Sequence, residues 1–293
     1  MLTLATWEAL LTSRGQEALA AAAARRPSAS SLLADLQALR ASFGADLAAA
    51  AIETAMLRAR GAAKFSRADR MFFTREALEQ ATAEAVARHR AARYTNAPHV
   101  WDLCCSIGGD LIHLAGDARR TTGLDLDPLR LRMAAWNATV YGVDGQIALR
   151  EHNVEHWECP PGATIFFDPG RRRADRRIFD PRDYQPPLST LETWLPRAGG
   201  IGVKVAPGID YDRLPWDTCE VEIVSLGGEV KEAVLWFGNL ARGKRTATVL
   251  PAGVSLSFMP TPPINVRPPR GFLYEPDGAV IRAHLVEQLA ADL

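Results

Sequence analysis

Apolar residues recur at helical spacing through the first third of the chain. One stripe advances in steps of three and four residues, the spacing of one face of an amphipathic helix: Leu32, Leu36, Leu39, Phe43, Leu47 and Ala50. The serines of residues 28–31 are placed to cap the start of this helix. Thr74 can cap a further helix that runs to about Arg93. Residues 1–95 are therefore predicted to form an all-α N-terminal domain.

From residue 99 the pattern changes to short apolar runs separated by helical or turn segments. The runs are HVWDLC, TTGLDL, QIALREH, TIFFD, GIGVKVA, CEVEIVSL and EAVLWFG. Alternation of this kind predicts an α/β fold, in which a parallel sheet is covered by helices on both faces. The last two runs are joined only by GGEVK. This connection is too short for a crossover and predicts an antiparallel hairpin after five parallel strands.

Beyond residue 240 the pattern predicts a separate C-terminal segment. The stretch KRTATVLPAGVSLSF has the pattern of another hairpin, and PTPPINVRPPRG that of a stiff linker. The last residues have helical spacing without a C-cap glycine or another stop signal. We therefore expect 241–293 to hold a hairpin, a linker and the start of a domain that continues beyond Leu293.

Charge and cysteine usage narrow the class of protein. The 34 basic and 34 acidic side chains of the 293 residues balance, so any polyanion would have to bind to a local patch. No apolar run approaches the ~20 residues that span a bilayer, and the first residues carry no basic lead that would predict a signal peptide. The four cysteines show no CxxC spacing, which is typical of reduced thiols. A cytoplasmic protein without a membrane partner is expected.

Polar residues follow four of the predicted strands, where doubly wound sheets bind their ligands. Gly108 and Gly109 let the backbone approach a ligand before a helix N-terminus, although a plain tight turn explains two glycines equally well. Asp125, which ends the second strand, can accept both hydroxyls of a ribose. Asn153 follows the third strand and can hydrogen-bond an adenine edge, and Asp168 follows the fourth.

Three segments resemble successive motifs of class I S-adenosylmethionine-dependent methyltransferases: VWDLCCSIGGDLIHLA, GLDLDPLRLRMAAWNATVYG and IFFDPGRRR. The likeness covers about residues 62–240 and is greatest to the trimethylguanosine synthase-like branch and to bacterial relatives with a THUMP-like C-terminal domain. It implies a Rossmann-like sheet of order 3-2-1-4-5-7-6 within 96–240, its last strand antiparallel. It also implies an S-adenosylmethionine site formed by Asp102, Cys104, Ser106, Gly108, Gly109, Asp125, Leu126, Asn153, Val154 and Asp168. Asp168 and Pro169 would be catalytic.

The chain departs from the family's pattern at two positions. Ser106 stands where the first motif usually has a glycine, which narrows the approach to the methionine part of the cofactor. Members that methylate amino groups have Asp/Asn-Pro-Pro followed by an aromatic that stacks on the target base. Here Asp168-Pro169 is followed by Gly170 and Arg171. Asp168 can still accept a hydrogen bond from a target amine, but the stacking platform is missing.

Further polar residues have two interpretations each. Arg171, Arg172 and Arg173 begin an arginine run that is either a solvated loop or a patch that contacts RNA phosphates. Glu229 and Lys231 in the hairpin turn, and Thr74, either touch substrate or belong to the plain surface. Lys204 ends a buried strand, so its amine needs a partner or must reach the crevice rim.

The stretch HNVEH, residues 152–156, matches the H-x-x-E-H pattern of one metalloprotease group. It straddles a strand end and is followed by WECPPG, which stops a helix. No metal site is expected there.

The sequence therefore predicts an enzyme that transfers a methyl group from S-adenosylmethionine to RNA. A small-molecule or protein acceptor is the first alternative, in which the arginines are merely solvated. A module that binds nucleotide or RNA without catalysis is the second, because the aromatic after Pro169 is missing.

Overall fold

A computed structural model describes residues 2–118, 120–170, 172–173, 176–177, 183–210, 214–260, 268 and 271–291. The predicted helical N-terminal region is confirmed. Its helices are α1 Leu4–Leu11, α2 Ser13–Arg25, α3 Leu32–Phe43, α4 Ala45–Gly61, α5 Arg75–Gln80 and α6 Glu84–Ala91, with a 3-10 turn at Ala92–Tyr94. In the described ranges, no helix is long and apolar enough to cross a membrane.

Two of the predicted helices are each broken in two. The stripe that begins at Leu32 is interrupted at Gly44, whose φ of +83° ends α3 and starts α4. Thr74 does cap α5 by accepting from the backbone N–H of Ala77, but α5 stops at Gln80. The Lys64 ammonium holds the carbonyls of this helix end, since it donates to Leu78, Glu79 and Ala81 at 2.7–3.0 Å. The sequence near residue 80 does not predict this helix end, because the lysine that stabilises it lies at least 14 residues away along the chain.

The second part of the chain forms a nine-stranded sheet. Its strands are β1 Val100–Leu103, β2 Thr121–Asp125, β3 Ile147–Glu151, β4 Thr164–Phe167, β5 Gly200–Val205, β6 Glu220–Leu226, β7 Glu229–Gly238, β8 Arg245–Leu250 and β9 Val254–Ser257. Their order is β3-β2-β1-β4-β5-β7-β6-β8-β9. The first seven positions confirm the predicted order 3-2-1-4-5-7-6. β1 to β5 are parallel, and β7 is antiparallel to both of its neighbours.

The β6–β7 hairpin turns at Gly227 and Gly228, whose φ values of +62° and +81° are those that a tight two-residue turn requires. β8 and β9 form the second predicted hairpin. This hairpin joins the same sheet, because β8 pairs in parallel with β6. The sheet thus runs past the boundary predicted at residue 240, and α10 (Gly278–Arg282) packs Ala279 and Val280 into the same core. A short helix α11, Val286–Ala291, follows it.

Three further helices connect strands of the sheet: α7 Leu111–Asp117, α8 Pro128–Tyr141 and α9 Leu191–Trp194. The N-terminal helices pack on this part of the molecule through a shared core. Leu10 and Ile52 of the helical part belong to one apolar cluster with Met133 and Val140 of α8 and with Ile107. This packing holds residues 63–83, which lie between α4 and α6, near the carboxyl ends of the strands.

Candidate active site

A cleft of about 1050 Å³ lies at the carboxyl ends of β1 to β5. It brings together most of the predicted site residues: Asp102, Cys104, Ser106, Gly109, Asp125, Leu126, Asn153, Val154, Asp168, Pro169, Glu229 and Lys231. Gly108 and Thr74 are not among its lining residues. Arg171 and the side chains of Arg172 and Arg173 lie outside the residues that the structure describes.

The turn after β1 adopts backbone angles that L-residues rarely take. Cys104, Ser106 and Gly108 have φ values of +70°, +49° and +80°. At Gly108 a Cβ atom would also lie 3.2 Å from the Cβ of Ala134 in α8, so this glycine allows the close approach of that helix. At Gly109 the nearest atom would be in the Phe65 ring at 3.4 Å, an ordinary contact. The first glycine therefore serves packing, and the second faces the cleft.

Asp125 is fixed at the end of β2 by two backbone donors. Its Oδ2 accepts from the N–H of Ser106 at 2.8 Å, and its Oδ1 accepts from the N–H of Asp127 at 3.0 Å. Each carboxylate oxygen keeps acceptor capacity for a ligand. The next residue, Leu126, is 62% exposed and presents an apolar surface to the same part of the cleft.

Asn153 is partly occupied by its own turn. Its Oδ1 accepts from the N–H of Glu155 at 3.0 Å and caps the 3-10 turn Val154–His156. Its amide NH₂ group is left to donate toward the cleft. His152 and Glu155 also line this end of the cleft.

Asp102 lies on the cleft floor and is only 1% exposed, yet neither of its oxygens has a hydrogen-bond partner among the residues that the structure describes. Burial raises the pKa of this carboxyl well above its usual value, and the negative charges of Asp110 and Asp168 raise it further. A buried carboxyl of this kind either holds a proton or binds a cation.

The other charged groups near the floor are paired. Arg90, 2% exposed, hydrogen-bonds both Asp110 and Glu232, and its guanidinium lies 4.5 Å from the centroid of the Phe166 ring. Burial raises the pKa of Asp110, but the charge and hydrogen bond of Arg90, together with the charges of Lys204 and His113, outweigh burial and hold that pKa below its usual value. Lys204 donates to Asp168 Oδ2 at 2.6 Å.

Sequence reasoning missed part of this site. Asp110 directly follows Gly109, so the motif itself indicates that Asp110 lies near the cleft. Arg90 and Glu232 are 142 residues apart and carry no local signal. One wall of the cleft also comes from the α5–α6 junction, residues 79–83, which belongs to the helical part of the chain.

Comparisons with known proteins agree with this architecture. A family model described as RNA cap guanine-N2 methyltransferase matches residues 97–166, and a domain of unknown function matches residues 3–61. Two strains of Mycobacterium tuberculosis carry a protein described as an "uncharacterized S-adenosylmethionine-dependent methyltransferase". It is 39% identical over 268 residues, which cover 86% of this chain and 72% of the relative. A crystal structure of a "putative methyltransferase" from Porphyromonas gingivalis is 20% identical, with a TM-score of 0.69 over 95% of this chain and 75% of that one.

The chain belongs to the S-adenosylmethionine-dependent methyltransferases. It is an enzyme whose cofactor is S-adenosylmethionine, and the residues of the cleft fit that group. The cofactor carries cationic ammonium and sulfonium centres, which suit the unpartnered carboxyl of Asp102. It also carries two ribose hydroxyls, which suit the anchored carboxylate of Asp125.

Proposed function

We propose that the enzyme methylates an amino group of an RNA base, as the trimethylguanosine synthase-like branch does. The observation that carries this proposal is the backbone pairing of Gly170 with Gln185, the two residues that flank an arginine-rich segment. Gly170 and Gln185 both line the cleft, and their backbones exchange two hydrogen bonds of 2.7 and 3.0 Å. The segment between them contains six arginines and three aspartates. An arginine-rich segment whose two ends are joined at the cleft rim is well placed for phosphate contacts.

The match of residues 97–166 to the RNA cap guanine-N2 methyltransferase model supports an RNA acceptor. That match ends before Asp168, so the chemistry has to be argued from the cleft itself. S-adenosylmethionine, when bound, supplies a methyl group activated by its sulfonium. In this proposal Asp102 binds a cationic part of the cofactor, Asp125 accepts from its ribose, and Leu126 and Asn153 contact its base.

Asp168 would act on the acceptor. A nitrogen that receives a methyl group becomes positive as the new bond forms. A carboxylate that already accepts a hydrogen bond from this nitrogen stabilises the developing charge and can take the proton. The half-buried position of Asp168 at the cleft suits this role. The surrounding protein would exclude water and align the two reactants.

A small cationic metabolite is the second candidate acceptor. Among the described residues that line the cleft, nine carboxylate side chains face four lysines and arginines. Such a cleft disfavours phosphate groups inside it. In the RNA proposal the phosphates therefore stay outside, on the arginine segment, and the base alone enters.

The arginines and Asp168 can be tested separately. Changing Arg171, Arg172 and Arg173 together to Ala should weaken RNA binding and flatten its salt dependence by roughly one unit of log–log slope per lost contact. Cofactor affinity, measured by calorimetry, should stay within about twofold. Asp168→Ala should leave RNA binding nearly intact and remove most of the turnover.

A matched control removes the same number of positive charges elsewhere on the surface. It changes three exposed arginines on α2, α3 and α8 to Ala: Arg14, Arg40 and Arg132. RNA binding with the wild-type salt slope in the 171–173 variant would contradict the RNA proposal. Transfer of labelled methyl groups into the metabolite fraction of a cell extract, with none into RNA, would replace it by the second candidate.

A further inference from the structure

The sheet register places Lys204 beside Asp168. Phe167 of β4 pairs with Val203 of β5. The residues that follow them, Asp168 and Lys204, therefore stand next to each other at the carboxyl ends of two parallel strands. Their side chains meet in a hydrogen bond of 2.6 Å between Lys204 Nζ and Asp168 Oδ2.

The lysine is the deeply buried member of this pair. Lys204 is 4% exposed and the Asp168 side chain is 22% exposed. The other residues of β5 are glycine, valine and isoleucine, all buried. A buried ammonium costs several kcal/mol of desolvation, and an apolar residue of similar volume is often at least as stable in such a place. Stability of the strand therefore gives no reason for a lysine at this position.

The two oxygens of Asp168 differ in what they contact. Oδ2 is bound by Lys204, whereas Oδ1 has no hydrogen-bond partner within the described part of the chain. Of the other ionisable groups of this floor, Arg90, Asp110 and Glu232 hydrogen-bond one another or neighbouring polar groups. Asp102 is the group for which the described residues offer no partner. The ammonium thus fixes the carboxylate through one oxygen and leaves the other oxygen to the cleft.

We infer that Lys204 is a positioning residue that orients Asp168, so that Oδ1 faces the acceptor of the methyl group. This inference rests on the proposed role of Asp168 at the acceptor. It assigns to Lys204 no contact with the substrate. The lysine acts through Asp168, and its removal should therefore matter only while Asp168 is present.

The test is Lys204→Met in two backgrounds, wild type and Asp168→Ala. The readout is single-turnover transfer from labelled S-adenosylmethionine into fractionated cell extract, with every fraction counted, so that the acceptor need not be known in advance. In the wild-type background the single-turnover rate constant at saturating extract should fall on the order of 10²-fold, a cost that a misplaced reacting group can carry. The extract concentration that gives half of the maximal rate should change little. In the Asp168→Ala background the same substitution should cost no further activity.

Calorimetric binding of the cofactor and the melting temperature show whether the Lys204→Met protein is folded. A folded variant with a slow transfer has lost the orientation of Asp168 and not its structure. Lys204→Arg, which keeps the charge, should be faster in single turnover than Lys204→Met, and it replaces Lys204→Met in the test if that variant proves unstable. The exposed Lys244 gives a matched control, Lys244→Met, with unchanged activity. Full activity of Lys204→Met, or equal losses in both backgrounds, would overturn the inference. Label that enters a fraction other than RNA would instead reject the RNA proposal, and no wild-type transfer into any fraction would overturn both.

Discussion

At the scale of single residues, Asp102 shows a conflict between stability and binding. Both of its oxygens lie buried near the carboxylates of Asp110 and Asp168, and the described part of the chain offers neither oxygen a hydrogen bond. Its raised pKa means that the folded protein holds a proton that the unfolded chain has already lost. The free energy of unfolding therefore decreases as the pH rises from the ordinary carboxyl pKa toward the raised one. The folded enzyme loses stability at neutral pH because of this residue.

Asp102→Asn should accordingly make the cofactor-free enzyme more stable at neutral pH, with the melting temperature raised by about 2–4 °C for each kcal/mol recovered.

The same change should weaken cofactor binding and remove part of its pH dependence. In the wild type a cationic ligand favours the ionised carboxyl, so binding releases a proton and affinity rises with pH. Calorimetry in two buffers of different ionisation enthalpy measures that proton. Equal proton release by wild type and variant would show that another group titrates.

At the scale of elements, the two glycines of the turn between β1 and α7 have different structural roles. Gly108 needs a positive φ and lies against α8, whereas Gly109 has neither constraint and lines the cleft. The two positions are adjacent in the chain, so they offer a matched pair of substitutions.

We expect Gly108→Ala to destabilise the protein by about 1–3 kcal/mol, because a Cβ there adds left-handed strain to a close helix contact. Gly109→Ala should cost little stability and act on cofactor affinity instead. Urea unfolding of both variants, beside calorimetric binding, separates the two effects. A larger loss of stability in Gly109→Ala than in Gly108→Ala would contradict this division.

The elements also show what a single sequence can predict. Alternation of apolar runs was enough to predict the strands, because each run is bounded by turn residues and the GGEVK connection fixes a hairpin. The order of the strands came from the family resemblance and not from the alternation. The ends of α3 and α5 were wrong, since apolar spacing continues across Gly44 and since Lys64 stabilises the end of α5 from outside its own helix. The Lys204–Asp168 contact follows from strand register, which no local pattern contains.

At the scale of the whole molecule, the helical region and the sheet share one apolar core. Leu10 and Ile52 pack in the same cluster as Met133 and Val140, and residues 79–83 form a wall of the cleft. A region that contributes both to the common core and to the site cannot be a loosely tethered appendage.

The protein should therefore unfold in one cooperative transition, although family models divide the chain into separate matches. Leu10→Ala, deep in the helical part, should lower the single melting temperature and cost about 2–5 kcal/mol. Calorimetry and the near-ultraviolet circular dichroism of the tryptophans should report the same midpoint. Two separated transitions, of which Leu10→Ala moves one, would show independent domains.

The bridge between Gly170 and Gln185 has a consequence for how this enzyme could change during evolution. Tyr184 is buried and accepts a hydrogen bond from the backbone N–H of Ala206, so the return point of the arginine segment is anchored in the core. When both ends of a segment are held, doubling its length adds only about 0.6 kcal/mol of closure entropy. The length and sequence of the stretch from Arg171 to Asp183 can therefore change at little cost in the free energy of folding. If these arginines hold the acceptor as proposed, replacing the stretch should redirect the enzyme to another acceptor, while Asp102 and Asp125 keep their places in the cleft.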